Sequence, residues 1–297
     1  MVVSTSSQLF VKPLQYSHEV TEGAPVAGLT WVNIGAVQSF NYKKDNSLIP
    51  IGNIGPEDVI DYVAGPYIRE SSVNFQLINS SFLKRAVNAA NYATPTGTVS
   101  QTFTMLYSIY LNGTENFIVL LGSRPKSCSI TMEVGKVTEC SMDLVHTAIN
   151  IPVTTALGGI TSSTFQTFPT GDVWDWLDGG ANPISVNSVA QNCIKFTCNI
   201  ERNTAMDFTL GNTAGFGSQS HARRISGEFT TLWTATTEET LFDASTEHTI
   251  AAVLKSATST LTLSNCEISV LSRDHSADES GATVTTYSYT AESCSLT

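Results

Sequence analysis

The chain has 297 residues, of which 41% are hydrophobic and only 14% charged, and its net charge is −11. That length holds two domains of ordinary size, while the acidic balance excludes a sequence-independent grip on DNA or RNA, which needs Lys and Arg to displace counterions. No stretch approaches the run of about 18 apolar residues that a membrane-spanning helix needs, so no membrane partner is expected.

Met1 is followed by VVSTSSQLFVKPLQ, with neither a basic start nor an apolar run of secretory length, so the six cysteines are expected to be reduced. Residues 1–32 read as a polar arm that something must hold. Next come a strand-like run, a long loop from Lys44 to Gly65 and a second strand, ESSVNFQL. Within the loop, Ile54, Val59, Ile60, Tyr62 and Val63 are apolar and have no evident core to enter. SSFLKRAVNAAN predicts a short helix with Ser81 as N-cap. QTFTMLYSIYL and CSITMEV alternate with period two and predict strands with one buried face.

Residues 151–189, rich in Gly, Thr, Ser and Pro, read as a linker with an aromatic anchor at Trp174 and Trp176. Beyond it, CIKFTCNI and ISGEFTTLW alternate as strands, and TTEETLFDAS carries the spacing of a capping box. The second half therefore follows the order of the first. IPIGN and TLGN, about 159 residues apart, open the correspondence. Glu70–Phe75 answers Ser226–Thr231, Cys128–Met132 answers Cys266–Val270, and Val137 answers Val284. Several matches in one order point to a duplicated module.

Chemistry is sparse by comparison. Cys193 and Cys198 are five apart, so on a regular strand they face opposite ways and cannot share a metal. GFGSQSH lacks the third glycine of a dinucleotide loop and the Lys of a P-loop. DVWDWLD sets Trp174 and Trp176 among carboxylates, a pattern of sugar-binding clefts as well as of packed loop anchors. Arg223 and Arg224 precede a strand, where a solvated edge, a salt bridge to a neighbouring subunit or a phosphate contact are the readings. No catalytic constellation, metal site or cofactor motif emerges, and no enzyme is expected.

GAVQSFNYKKDNSLIPIGNIGPEDVIDYVAGPYIRESSVNFQL resembles the opening of the tail tube proteins of long-tailed phages and related archaeal viruses. FIVLLGSRPKSCSITMEVGKVTECSMDLV is similar to that family's closing strands, and CIKFTCNIERNTAMDFTLGN resembles the start of a second copy. The resemblance implies an all-β fold with one short helix per domain, in which two tandem β-sandwich domains, 33–150 and 190–297, lend strands to a shared β-barrel ring. It implies a virion structural protein whose stacked rings, trimeric and pseudo-hexameric, form the DNA-conducting channel of a tail assembled in the host cytoplasm. Its partners would be other copies of itself, the tape-measure, tail terminator and baseplate or neck proteins, and double-stranded DNA that passes without tight binding. Ile54, Val59, Ile60, Tyr62, Val63, Arg223 and Arg224 are then candidates for contacts between subunits or rings. Glu133, Glu139 and Asp143 are candidates for the lumen, with an ordinary solvated outer face as the other reading. A two-domain β-sandwich that binds carbohydrate or a receptor through Trp174 and Trp176 is the alternative.

Overall fold

The computed structural model describes residues 13–19, 31–51, 61–87, 102–111, 114–153, 171–202, 204–210, 217–219, 223–232, 247–275 and 283–297. The first half supplies β1 (Gln15–His18), β2 (Val32–Asn33), β3 (Ala36–Ile51), β4 (Asp61–Gln76), helix α1 (Leu83–Val87), β5 (Phe103–Leu111), β6 (Thr114–Glu133), β7 (Glu139–Val145) and β8 (Ala148–Val153). The second supplies β9 (Ile184–Val186), β10 (Val189–Ala190), β11 (Cys193–Glu201), β12 (Ala205–Asp207), β13 (Gly217–Gln219), β14 (Arg224–Leu232), β15 (His248–Lys255), β16 (Ser259–His275) and β17 (Thr283–Leu296). The all-β expectation holds. The predicted first helix is present but starts at Leu83, one residue later than Ser81 as N-cap implies, with the Ser80 carbonyl accepting from Lys84 N in the turn that leads into it. The predicted second helix and the two Gly-Asn turns lie outside the described residues.

Strand pairing runs β2-β1-β5-β6-β7-β4-β3 in the first half and β10-β9-β15-β16-β17-β14-β11 in the second, the same order. Registers agree as well. Val37 pairs with Phe75 as Cys193 pairs with Thr231, and both ladders then skip one residue, at Gln38 and at Ile194. Two further bulges coincide: Pro125/Ser127 on β6 with Ile268/Val270 on β16, and Phe103/Met105 on β5 with His248/Ile250 on β15. A bulge costs a ladder bond and re-aims the strand, so three at matching sites are a strong likeness. Even the β1–β2 hairpin, in the expected arm, has its counterpart in β9–β10, in the expected linker: Tyr16 faces Met105 and Val32 as Val186 faces Ile250 and Val189.

Bulges also correct one inference. The extra residue Ile194 reverses the alternation, so Cys193 lies opposite buried Thr231 on the same face as Cys198. Among the described residues, however, no group of three or more His, Cys, Asp or Glu side chains could hold a metal. The buried thiols of Cys128, Cys140 and Cys198 are pushed up by burial, which keeps them protonated and inert.

One continuous core runs through both halves, from Phe75, Phe82 and Phe103 to Phe196, Phe229 and Tyr287. β5 departs from the one-sided expectation. Its other face, with Leu106, packs on Trp31, Phe117, Val119 and Leu121 in a second, smaller cluster. The Glu19 carboxylate, fully buried, ties the segment after β1 into this region by accepting bonds from Thr102 Oγ1, Thr104 Oγ1 and Gly122 N, each at 2.7 Å.

His146 is also fully buried, with Nδ1 2.8 Å from Ser123 Oγ and Nε2 2.7 Å from Ser71 Oγ. The neutral ring satisfies both hydroxyls, one ring nitrogen donating and the other accepting. Burial lowers its pKa from 6.5 to about 3. A depressed histidine pKa means that the unfolded chain takes up the proton first, so stability falls as pH drops from 6.5 towards 3. The expected loss is about 2 kcal/mol by pH 5. Urea unfolding of the native chain and of His146→Gln at pH 7.5 and 5 checks this. Equal pH dependence in the two proteins would remove His146 as its source.

Candidate assembly surfaces

β3, β4, β7, the C-terminal part of β6, β11, β14, β17 and the C-terminal part of β16 lie side by side as one eight-stranded run. The halves join in the middle, where β6 pairs with β11 from Lys195↔Glu133 to Glu201↔Ser127. Alternation gives the run two unlike faces. Phe40, Val73, Met142, Ile130, Phe196 and Phe229 enter the core from one. The other carries Ser39, Asn41, Ser72, Ser127, Ser129, Thr131, Thr197, Asn199, Thr230 and Ser288, with a scatter of charges.

Glu133, Glu139 and Asp143 all fall on this polar face. Glu139 and Asp143 are exposed, Asp143 accepts a bond from Ser127 Oγ at 2.6 Å, and Glu133 lies 2.7 Å from Lys136 Nζ. The hydrogen bond from Lys136 holds the Glu133 carboxyl below its ordinary pKa. Sequence reasoning missed the rest of the face: Asp45, Glu70, Glu201 and Glu228, against Lys43, Lys126, Lys195 and Arg224. Carboxylates outnumber basic groups there. Their positions in phase with Ser and Thr on the same strands were the available signal.

The run has two bare edges. Among the described residues β3 pairs only with β4, and β16 beyond Cys266 pairs only with β17. Their counterparts β11 and β6 each have partners on both sides.

The region expected as a loop from Lys44 to Gly65 is mostly strand, because β3 and β4 pair out to Ile51↔Asp61. The distal part of this hairpin leaves the core and exposes Leu48 (54%), Ile49 (52%), Tyr62 (57%) and Val63 (46%). Ile49 pairs with Val63 on one face of the ribbon, and Leu48 and Tyr62 lie on the other, so both faces expose large apolar side chains, which marks a contact site. Ile54, Val59 and Ile60 lie outside the described residues. Among the described residues the second half shows no such hairpin: β11 stops at Glu201, and the two-stranded sheet β12–β13 lies in the connection to β14.

The remaining candidates separate. Arg224 is exposed on β14 opposite Glu201, whereas Arg223 Nη1 donates to the Val87 carbonyl at 2.5 Å. Arg202, missed in the sequence, is buried, donates to the Ala86 carbonyl and joins Arg223 in clasping the end of α1. Burial is the main reason its pKa falls to about 10. Trp174 is 6% exposed, its backbone N–H donating to Leu77 O at 2.7 Å and its backbone carbonyl accepting from Thr138 N at 2.8 Å. It offers no open ring face. Trp176 is exposed and lines an apolar groove with Met132, Val134, Leu177, Ile184 and Ile194. Two of the neighbouring carboxylates are engaged: Asp175 accepts from Leu177 N at 2.8 Å, and Asp178 is paired with Lys255, while Asp172 is exposed.

A family model described as "Phage tail tube protein" matches residues 13–293. No curated protein matches the chain.

Proposed function

The chain belongs to the phage tail tube protein family, a structural component of the virion tail, and from that membership we propose that three copies close into a ring and that rings stack into a DNA-conducting tube. The carrying observation is that two like halves are already joined edge to edge into one eight-stranded run whose outer edges are bare among the described residues. An unpaired edge is a template for another chain, and closure into a barrel removes it. Three chains would contribute about 24 strands, a barrel roughly 37 Å across before strand tilt widens it. One chain would then occupy two of six like positions.

We read the chain as two copies of a seven-stranded unit, the domains expected at 33–150 and 190–297 each extended by the hairpin before it. The polar face lines the lumen in this reading. Its excess of carboxylates repels phosphate, and its short hydroxyl side chains offer no cationic grip, so DNA passes without binding. Tyr62 and Val63 reach neighbouring subunits or rings, whereas Arg224, opposite Glu201, belongs to the lumen face. Tape-measure, terminator and baseplate or neck proteins would meet the tube along or at the ends of its channel, with assembly in the host cytoplasm.

Negative-stain electron microscopy of the concentrated protein tests the proposal. Hollow tubes or rings with threefold or pseudo-sixfold end views are expected, and monodisperse monomers that bind glycans would favour the carbohydrate module instead. Tyr62→Asp with Val63→Asp should leave folding unchanged, since both side chains are exposed, and abolish long tubes. Normal tubes from that variant would remove the hairpin from the stacking contact.

A further inference from the structure

The chain contains a template for its own closure. At the internal seam, β6 of the first half meets β11 of the second, with Cys128↔Ile200, Ser129↔Asn199, Ile130↔Cys198 and Thr131↔Thr197 in register. The repeated ladders say which residues hold the same places at the outer edges. On β3, Asn41, Tyr42, Lys43 and Lys44 stand where Thr197, Cys198, Asn199 and Ile200 stand on β11. On β16, Leu271, Ser272, Arg273 and Asp274 stand where Cys128, Ser129, Ile130 and Thr131 stand on β6, because both sets follow the matched bulge and face equivalent residues of β7 and β17.

We infer that β16 of one chain pairs antiparallel with β3 of a second copy in the register Leu271↔Lys44, Ser272↔Lys43, Arg273↔Tyr42 and Asp274↔Asn41. The inference rests on the ring reading and goes beyond it by fixing which edge meets which, and at what offset. Continuity with the internal seam is the argument. Among the described residues β3 and β16 have no neighbour on the side where β11 and β6 have one, and their bulges already match those of the seated pair. A ring made this way repeats a single step at all its seams, so each half meets like surroundings and the barrel closes evenly.

The hydrogen-bonding phase carries over too. Val134 N donates to Ile194 O at 3.0 Å and Arg202 N to Lys126 O at 2.8 Å. Even-numbered residues of the internal seam therefore form its hydrogen-bonded pairs, and the odd-numbered pairs, including Ser129↔Asn199, are the closer, non-hydrogen-bonded ones. Lys43 and Ser272 inherit that closer geometry, suited to a cross-strand disulfide, and both side chains are exposed.

Lys43→Cys with Ser272→Cys, assembled and mildly oxidised, should give covalent dimers and trimers on non-reducing gels, with the linked peptides identified by mass spectrometry. Ser129→Cys with Asn199→Cys places the equivalent pair inside one chain and should link without raising the mass. Asp45→Cys with Ser272→Cys should link only if the register slips by two residues. Native cysteines compete poorly, since five are buried and burial pushes the Cys193 thiol up to about 12. Links in the first variant and none in the third support the register. Links in the third alone, or in neither while tubes are visible by microscopy, overturn the register and leave the ring reading standing. A native protein that makes no ring or tube at any concentration overturns both.

Discussion

Lys44→Pro yields a folded monomer that does not assemble. Lys44 is exposed on the bare edge of β3, at the place that Ile200 holds on β11. By that correspondence its backbone N–H points away from β4, so proline removes no bond within the chain. In the closed ring the same N–H would donate to β16 of the next subunit, and the pyrrolidine ring would press on that strand. Losing one bond and adding a clash costs on the order of 2–3 kcal/mol at a seam. A trimeric ring as proposed would close through three equivalent seams, so the loss would be felt three times, and tubes should vanish at concentrations where the native chain forms them. Circular dichroism and the melting temperature should stay unchanged. Tubes of normal length from Lys44→Pro would mean that β3 does not provide the ring contact.

Period-two alternation makes the strands readable in the sequence. It also explains which repeat matches hold. Glu70–Phe75 against Ser226–Thr231 matches the structural register, because Ser71 and Gly227 occupy the same place on β4 and β14. Val137 against Val284 is out by two, since Glu139 is the residue at the place of Val284. A slip of two keeps every side chain on its proper face, so the pattern could not reveal it. Cys128 against Cys266 is out by five, because Leu271 is the true counterpart of Cys128. The two cysteines drew the match, and the bulge between Ile268 and Val270 hid the error by reversing the alternation between them. Bulges, bare edges and the β9–β10 hairpin are properties of pairing partners far apart in the chain, and local pattern does not carry them. The three acidic residues singled out on the polar face came from the likeness of their strands to the family's closing hairpin, and strand phase agrees with their common face.

Gly227→Ala shows why the halves depart from each other at one shared position. Gly227 has ordinary strand geometry, so space and not backbone freedom decides the residue. A Cβ there would lie 2.1 Å from the Thr197 carbonyl oxygen and 2.5 Å from Tyr289 Oη. Tyr289 comes from β17, crosses over Gly227 and donates from its hydroxyl to that carbonyl on β11 at 2.8 Å. It is 1% exposed and stacks on Phe196 at 6.2 Å between ring centroids. In the first half Leu144 holds the place of Tyr289, no ring crosses, and Ser71 can stand where glycine stands in the second, its hydroxyl bonded to His146. Alanine at 227 must push β14 from its neighbour or expel the tyrosine, leaving a buried hydroxyl without its acceptor. Overpacking and the lost bond together should lower stability by about 3–5 kcal/mol. Tyr289→Phe, which loses only the hydroxyl, should cost about 1 kcal/mol. Urea unfolding of both variants separates the two contributions. A loss under about 1 kcal/mol for Gly227→Ala would show that the strands part without strain, and the difference between Ser71 and Gly227 would then need another cause.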